Sequence, residues 1–393
     1  MSKTVYLLIL LIINSNAWNL RMINLSADNW LILQLIYLFA GFIYYGRMAD
    51  FHIFTKELKY WWLWLLGILL SMVPAYFNYD QTFSQSILTY RHCLLLVQIP
   101  ILFKIRPTKE EIVKAILFYF GFVWIIYFLQ QANPLVVNID EETLDKYIRN
   151  NEKPMVAGWI FVIIALFYYL DDILKKIYIK LLLIILIVFI FAILEQNRSI
   201  LFSITAIIGW TMFKVKKNRF LVILIFFILS LGIAYYTANT WNDLFRETAE
   251  QVDNDEYNRN KAYQYFLFKA SPNIWCRIFG NGFLSTHVTR HMEDMMDLGV
   301  YNNDVGFVGY WNNYGILPII VFLLLLVPAI LGNRNSHFIR CWALQILICS
   351  ATISYWGAKN LLYMGLFYFL YYMDLENHME SVELTELNEI KGT

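Results

Sequence analysis

Long apolar stretches alternate with short polar connections along almost the whole chain. Twelve of them approach the roughly 20 residues that a bilayer-crossing helix needs, centred near residues 12, 38, 69, 96, 121, 163, 186, 206, 229, 322, 346 and 366. The pattern predicts an all-α, polytopic membrane protein of about 12 transmembrane helices. Nine spans precede and three follow a large polar interval at 239–304, so this loop lies between spans 9 and 10. A smaller polar interval covers 131–153 and holds the run Asp140, Glu141 and Glu142. With no internal repeat or low-complexity segment, residues 1–393 read as a single transmembrane domain with one embedded loop. The first stretch, Lys3 then Val5 to Ile13 before the small residues Ser15 and Ala17, also fits a cleavable signal segment. Cleavage there leaves the topology of every later span unchanged.

Composition agrees with the pattern. Hydrophobic residues make up 59% of the chain and charged residues only 16%, far from the balance of a soluble domain. A formal net charge of +1 gives no reason to expect a nucleic-acid partner. Cys93, Cys341 and Cys349 fall in spans and only Cys276 in the large loop, which therefore cannot close an internal disulfide. Lys and Arg in the connections set the orientation. One alternate set carries fifteen, among them Arg47, Lys104, Lys109, Lys214 and Arg340, and the other carries seven. Both termini are therefore expected in the cytoplasm, with the loop 239–304 outside and the acidic tail 374–393 inside. The acidic runs read as solvated surface.

Transporters and channels place charge at mid-membrane to carry or coordinate ions. The predicted spans have no Asp, Glu, Lys or Arg near their centres, and their polar residues, such as Gln34, Gln98 and Gln345, are expected to bridge helices. That pattern argues against an ion-driven transporter. The ionisable groups instead stand at outer ends: Arg91, His92, Glu195, Arg198 and Lys359.

Four elements carry candidate chemistry. In Glu195-Gln196-Asn197-Arg198-Ser199 an arginine opens a helix at the outer face. Free amides, the helix dipole and a guanidinium there suit a diphosphate, although pairing with Glu195 or snorkelling to headgroups fits the same residues. Next, Arg259, Tyr263, Phe266 and Ala270 recur at helical spacing before Pro272, predicting an amphipathic helix with Arg259 at the head of its buried face. An interfacial helix lying on the bilayer is the alternative. The third element is Gly280-Asn281-Gly282-Phe283, where two glycines permit close approach to a ligand or form an ordinary tight turn. Arg277 and Arg290 are further cations beside it, and His287 and His291 are candidate bases or plain surface histidines. Finally, Asn302-Asn303-Asp304 leads into span ten, placing at the outer edge a carboxylate able to take a proton from a sugar hydroxyl, or to cap the helix.

In order and spacing these elements resemble the O-antigen polymerase and ligase family of bacterial envelope glycosyltransferases. Arg198-Ser199 before the loop, Arg259 and its aromatic helix within it, Gly280-Asn281-Gly282-Phe283, and Gly315-Ile316 in the next span carry the likeness. The topology covers nearly the whole chain; the sequence likeness covers about 120 residues. Ligases of the family carry a His in the polar pair where this chain has Asn303-Asp304, so the resemblance favours a polymerase. It implies a GT-C-like architecture in the bacterial inner membrane and a glycan on undecaprenyl diphosphate as donor and acceptor. It also implies membrane lipids and a chain-length regulator protein as partners. Arg198 and Arg259 then hold the diphosphate leaving group, with Arg277, Arg290, Gly280, Gly282 and Asn303 as further substrate contacts. Asp304, His287 and His291 compete for the role of base. No cofactor or metal is expected: Glu293-Asp294 with Asp297 reads as a solvated loop, and no His or Cys pair has ligand spacing. A ligase using another acceptor and a transporter of lipid-linked glycan are the rival readings.

Overall fold

The computed structural model describes residues 2–14, 26–46, 55–132, 159–174, 187, 198–214, 220, 224, 227, 258–284, 298–332, 335–353, 355 and 360–392. Their regular structure is entirely helical, with no strand among the described residues. The helices are α1 (Lys3–Asn14), α2 (Ala27–Gly46), α3 (Lys59–Tyr79), α4 (Phe83–Thr89), α5 (Gln98–Ile105), α6 (Lys109–Ala132), α7 (Val162–Leu174), α8 (Arg198–Lys214), α9 (Asn258–Gln264), α10 (Ile274–Phe279), α11 (Gly306–Tyr314), α12 (Ile316–Leu331), α13 (His337–Cys349) and α14 (Leu361–Gly392).

Among the described residues three helical stretches are long and apolar enough to cross a membrane: Asp28–Gly46, Lys56–Tyr79 and Phe83–Ile105. Lys3–Asn14, Ser199–Lys214, Ile316–Leu331 and His337–Cys349 are apolar but shorter. The expected centres near 186 and 229 lie outside or at the margin of the described residues; the other ten fall in helical segments. Two of the helical stretches change form along their length. Phe83–Ile105 passes through a 3-10 segment, Tyr90–Val97, and α11 is separated from α12 at Gly315, whose φ of 76° no helix accepts. Conversely, α14 runs without a break through the stretch expected to be an acidic tail. Between Asp374 and Lys391 there is no Gly or Pro, and Glu and Leu favour the helix.

The helices share one large core in which Trp64, Tyr119, Phe167, Trp342, Tyr363 and Phe367 are almost wholly enclosed. Outward positions are equally apolar: Ile36 is 60% exposed, Leu69 59% and Phe213 72%. Such a surface suits hydrocarbon rather than water. Of the glutamines expected to bridge helices, only Gln345 does so, accepting from Tyr363 Oη at 2.8 Å and donating to Tyr355 Oη at 2.7 Å. Both amide atoms of Gln98, and Nε2 of Gln34, are buried with no hydrogen-bond partner among the described residues.

Contacts between helix ends fall into two sets. In one, Lys3 Nζ donates to Arg106 O at 2.8 Å, Lys104 Nζ lies 3.9 Å from the Phe42 ring, and Lys109 Nζ lies 4.2 Å from that of Phe338. There too the Ser336 amide donates to Asp374 and Thr211 meets His337. The other set links α3 and α4 to the residues around Ala270 and Phe283, through Tyr79 Oη to Ala270 O and Gln81 Nε2 to Phe283 O, both 3.2 Å. The first set is rich in lysine and arginine. The described parts of the polar interval 239–304 belong to the second, where they form α9 and α10 and pack on the bundle. The smaller interval 131–153 and its acidic run lie outside the described residues, save the end of α6.

Candidate functional site

The four sequence elements are best followed from the turn that ends α13, Cys349 to Thr352. Ser350 O accepts the amide of Phe307 at 2.8 Å, Ala351 O accepts the hydroxyl of Tyr263, and Thr352 Oγ1 donates to Ser199 Oγ at 2.8 Å. Consecutive residues of one turn thus meet the start of α11 after Asp304, the helix of Arg259 and the first turn of α8 at Arg198. This turn was not singled out in the sequence. Its residues are small and polar, with no charge or motif to mark them, and they gain meaning only from what meets there.

Arg198 is the first described residue of α8, and residues 188–197 before it lie outside the described residues. Asn303 and Asp304 lie in a 3-10 turn, Asn302–Val305, and the N-cap position of α11 falls on Val305 rather than on Asp304. The side chains of Arg198, Asn303 and Asp304 lie outside the described residues, as do His287, Arg290 and His291 entirely. Arg259 is described: it is partly buried, and its Nε is enclosed with no hydrogen-bond partner among the described residues. Burial pushes the Tyr263 phenol above its ordinary value, and the Arg259 charge beside it pulls part of the way back. The five donors of a guanidinium suit an anion.

The arginine is held by a small second core. Ala262, Phe266 and Ala270 pack with Val300 and Val305, the face that the spacing of Arg259, Tyr263, Phe266 and Ala270 predicts. After Gln264 the helix widens into a π turn, Tyr265–Lys269, closed by Ala270 N to Tyr265 O at 2.8 Å. Such insertions re-aim a helical face and are frequent at functional sites.

Close approach at Gly280 and Gly282 is made to the chain itself. Gly280 (φ 88°, ψ 162°) and Gly315 (φ 76°, ψ −166°) occupy a backbone region that is essentially glycine's alone. A Cβ on Gly280 would stand 2.5 Å from Asn313 O and Gly315 N. The amides of Asn281 and Gly282 donate to Asn312 O at 2.7 Å and Asn313 O at 3.0 Å, so neither is open to a ligand. Side chains repeat the clasp: Asn281 Nδ2 donates to Asn312 Oδ1, and Asn302 Nδ2 to Asn313 Oδ1, both at 2.7 Å. Asn281 lies within the Gly280–Phe283 element, whereas Asn312 and Asn313 are marked only by the repeat of the asparagine pair at 302–303. Arg277 is exposed, and its carbonyl accepts Trp311 Nε1 at 2.8 Å. Burial pushes the Cys276 thiol up, which keeps it protonated and unreactive near neutral pH.

Asn273 caps α10, its Oδ1 accepting from Cys276 N at 3.0 Å while its Nδ2 donates to Asn78 Oδ1 at 2.8 Å. Asn273→Ala is expected to cost about 1 kcal/mol, read as a lowered midpoint of thermal unfolding in detergent.

Among the described residues no group of three or more His, Cys, Asp and Glu could hold a metal ion. No protein-family model, curated protein or solved structure matches the chain.

Proposed function

We propose that this chain is a glycosyltransferase of the bacterial inner membrane that polymerises undecaprenyl-diphosphate-linked oligosaccharide repeats into a surface polysaccharide. The observation that carries the reading is the meeting of Ser199 and Tyr263 with Thr352 and Ala351, which brings the helix opened by Arg198 to the helix of Arg259. The Nε of Arg259, enclosed with no hydrogen-bond partner among the described residues, supports it, because a buried donor calls for an acceptor.

In the reaction a hydroxyl oxygen of the acceptor glycan attacks the anomeric carbon of the donor's terminal repeat. The bond from that carbon to the diphosphate oxygen breaks, its electron pair leaves on undecaprenyl diphosphate, and the hydroxyl proton passes to a base. Asp304 is the base that its place before α11 favours, with His287 and His291 as rivals. Arg198 and Arg259 offset the charge gathering on the leaving group, work that other enzymes give to a metal ion. The further substrate contacts are Arg277, Arg290 and Asn303, while Gly280 and Gly282 shape the turn from within.

This reading takes twelve spans in a GT-C-like arrangement, with the lysine-rich set of helix ends in the cytoplasm. A reporter fused after Thr393 is then expected to be active in its cytoplasmic form and silent in its periplasmic form; the reverse pattern would invert the assignment. For the activity, Arg198→Ala and Asp304→Ala variants are compared by the length of surface glycan on a gel. Collapse of the ladder to single repeats is the expected outcome. Loss of all attached glycan would point to ligation instead, and an unchanged ladder would remove both residues from the mechanism.

A further inference from the structure

We infer that Thr352 is a positioning residue for the anion grip, setting the rotation of α8 about its own axis relative to the helix of Arg259. The inference rests on the proposed function and deepens it.

Thr352 Oγ1 donates to Ser199 Oγ at 2.8 Å, across 153 residues of sequence. Its other contact, to Cys349 O, is 3.4 Å. A second tie lies beside the first: Cys349 Sγ stands 3.3 Å from both Ser199 O and Ser203 Oγ. That thiol receives Gln345 Nε2 at 3.5 Å, and Gln345 is itself fixed between Tyr355 and Tyr363. A line of polar contacts therefore runs from the buried middle of α13 to the first turn of α8.

Packing alone does not ask for this line. Polar groups placed in an apolar interior cost free energy unless they are paired, and apolar residues of the same shape would join two helices as well. Burial of Ile200, Leu201, Ile204, Ile207 and Ile208 sets the coarse phase of α8, and a directional bond fixes it at the first turn. Successive residues on a helix differ by about 100° around its axis, so locking Ser199 toward Thr352 fixes the bearing of residue 198. The same turn holds Tyr263 through Ala351 O, so the bearing is set relative to the helix of Arg259. The grip is thus assembled from outside, by a residue that need not touch the ligand.

The full-length chain in lipid nanodiscs, titrated with undecaprenyl diphosphate, tests this. Thr352→Val is expected to weaken binding on the order of tenfold, a misplacement effect, and Thr352→Ser to restore it. Ser199→Ala, which removes the same bond from the other side, should match Thr352→Val, and the double variant should be no weaker than either single one. Melting midpoints taken on the same samples separate misfolding from misplacement. If Thr352→Val binds like the parent while Arg259→Ala is weakened, the positioning role is wrong and the anion site stands. Additive losses in the double variant overturn the role equally. If Arg259→Ala also binds like the parent, the proposed site itself fails.

Discussion

Arg259→Ala is expected to reduce the rate of repeat addition on the order of a hundredfold or more, the usual loss when a donor aimed at developing charge is removed. Its Nε is enclosed with no hydrogen-bond partner among the described residues, so part of the desolvation that makes a guanidinium effective against a diphosphate is met in the fold. Arg259→Lys should recover little, because a lysine ammonium keeps the charge but not the planar fork. Because α9 is held mainly by Ala262, Phe266 and Ala270, truncation of Arg259 should leave the folded protein in place. The check is repeat number per glycan chain with protein abundance measured alongside. Full-length ladders at normal abundance would show that Arg259 has no part in transfer.

The second large effect concerns stability. Gly280→Ala is expected to destabilise the protein by about 3 kcal/mol, since a backbone conformation reserved to glycine costs about 1–3 kcal/mol for another residue and the new methyl strikes Asn313 O at 2.5 Å. The obstacle is backbone, which cannot swing aside as a side chain does. Gly315→Ala meets the mirror of the same problem, its Cβ standing 2.3 Å from Ile278 O. Gly209 provides the control: it lies within α8 with nothing inside 4 Å, and Gly209→Ala should leave the melting midpoint unchanged or raise it. Equal midpoints for Gly280→Ala and the parent would mean that the clasp between residues 280–282 and 312–315 is not formed.

The two glycines show where a sequence reading reaches its limit. Gly280 and Gly282 mark a place where the backbone comes close to something, but composition cannot say whether that is a ligand or another strand of the same chain; the asparagines opposite, Asn312 and Asn313, settle it. By contrast, Phe266 and Ala270 could be placed on a buried face from spacing alone, because helical periodicity is a local property. The division at Gly315 is not marked in the sequence because a lone glycine at the edge of an apolar run is tolerated in a helix, and the continuation of α14 past Asp374 because its charge pattern suits both a tail and a solvated helix. The turn Cys349 to Thr352 was invisible for another reason: Thr352 and Ser199 are common, neutral residues far apart in the chain, and their bond is a product of the tertiary fold. Gln98 shows the converse limit: a polar residue in an apolar stretch announces the need for a partner, and none stands among the described residues.

The central claim is that the segments of Arg198 and Arg259, joined at the turn Cys349 to Thr352, hold a lipid diphosphate while a glycosidic bond is made. Its most direct test is the purified full-length chain in nanodiscs, supplied only with an undecaprenyl-diphosphate-linked repeat. The expected result is a ladder of glycans with one undecaprenyl diphosphate released for each bond formed, and neither product from the Arg198→Ala, Arg259→Ala double variant. Ladder and release of equal yield from the double variant, or neither from the parent chain, would contradict it.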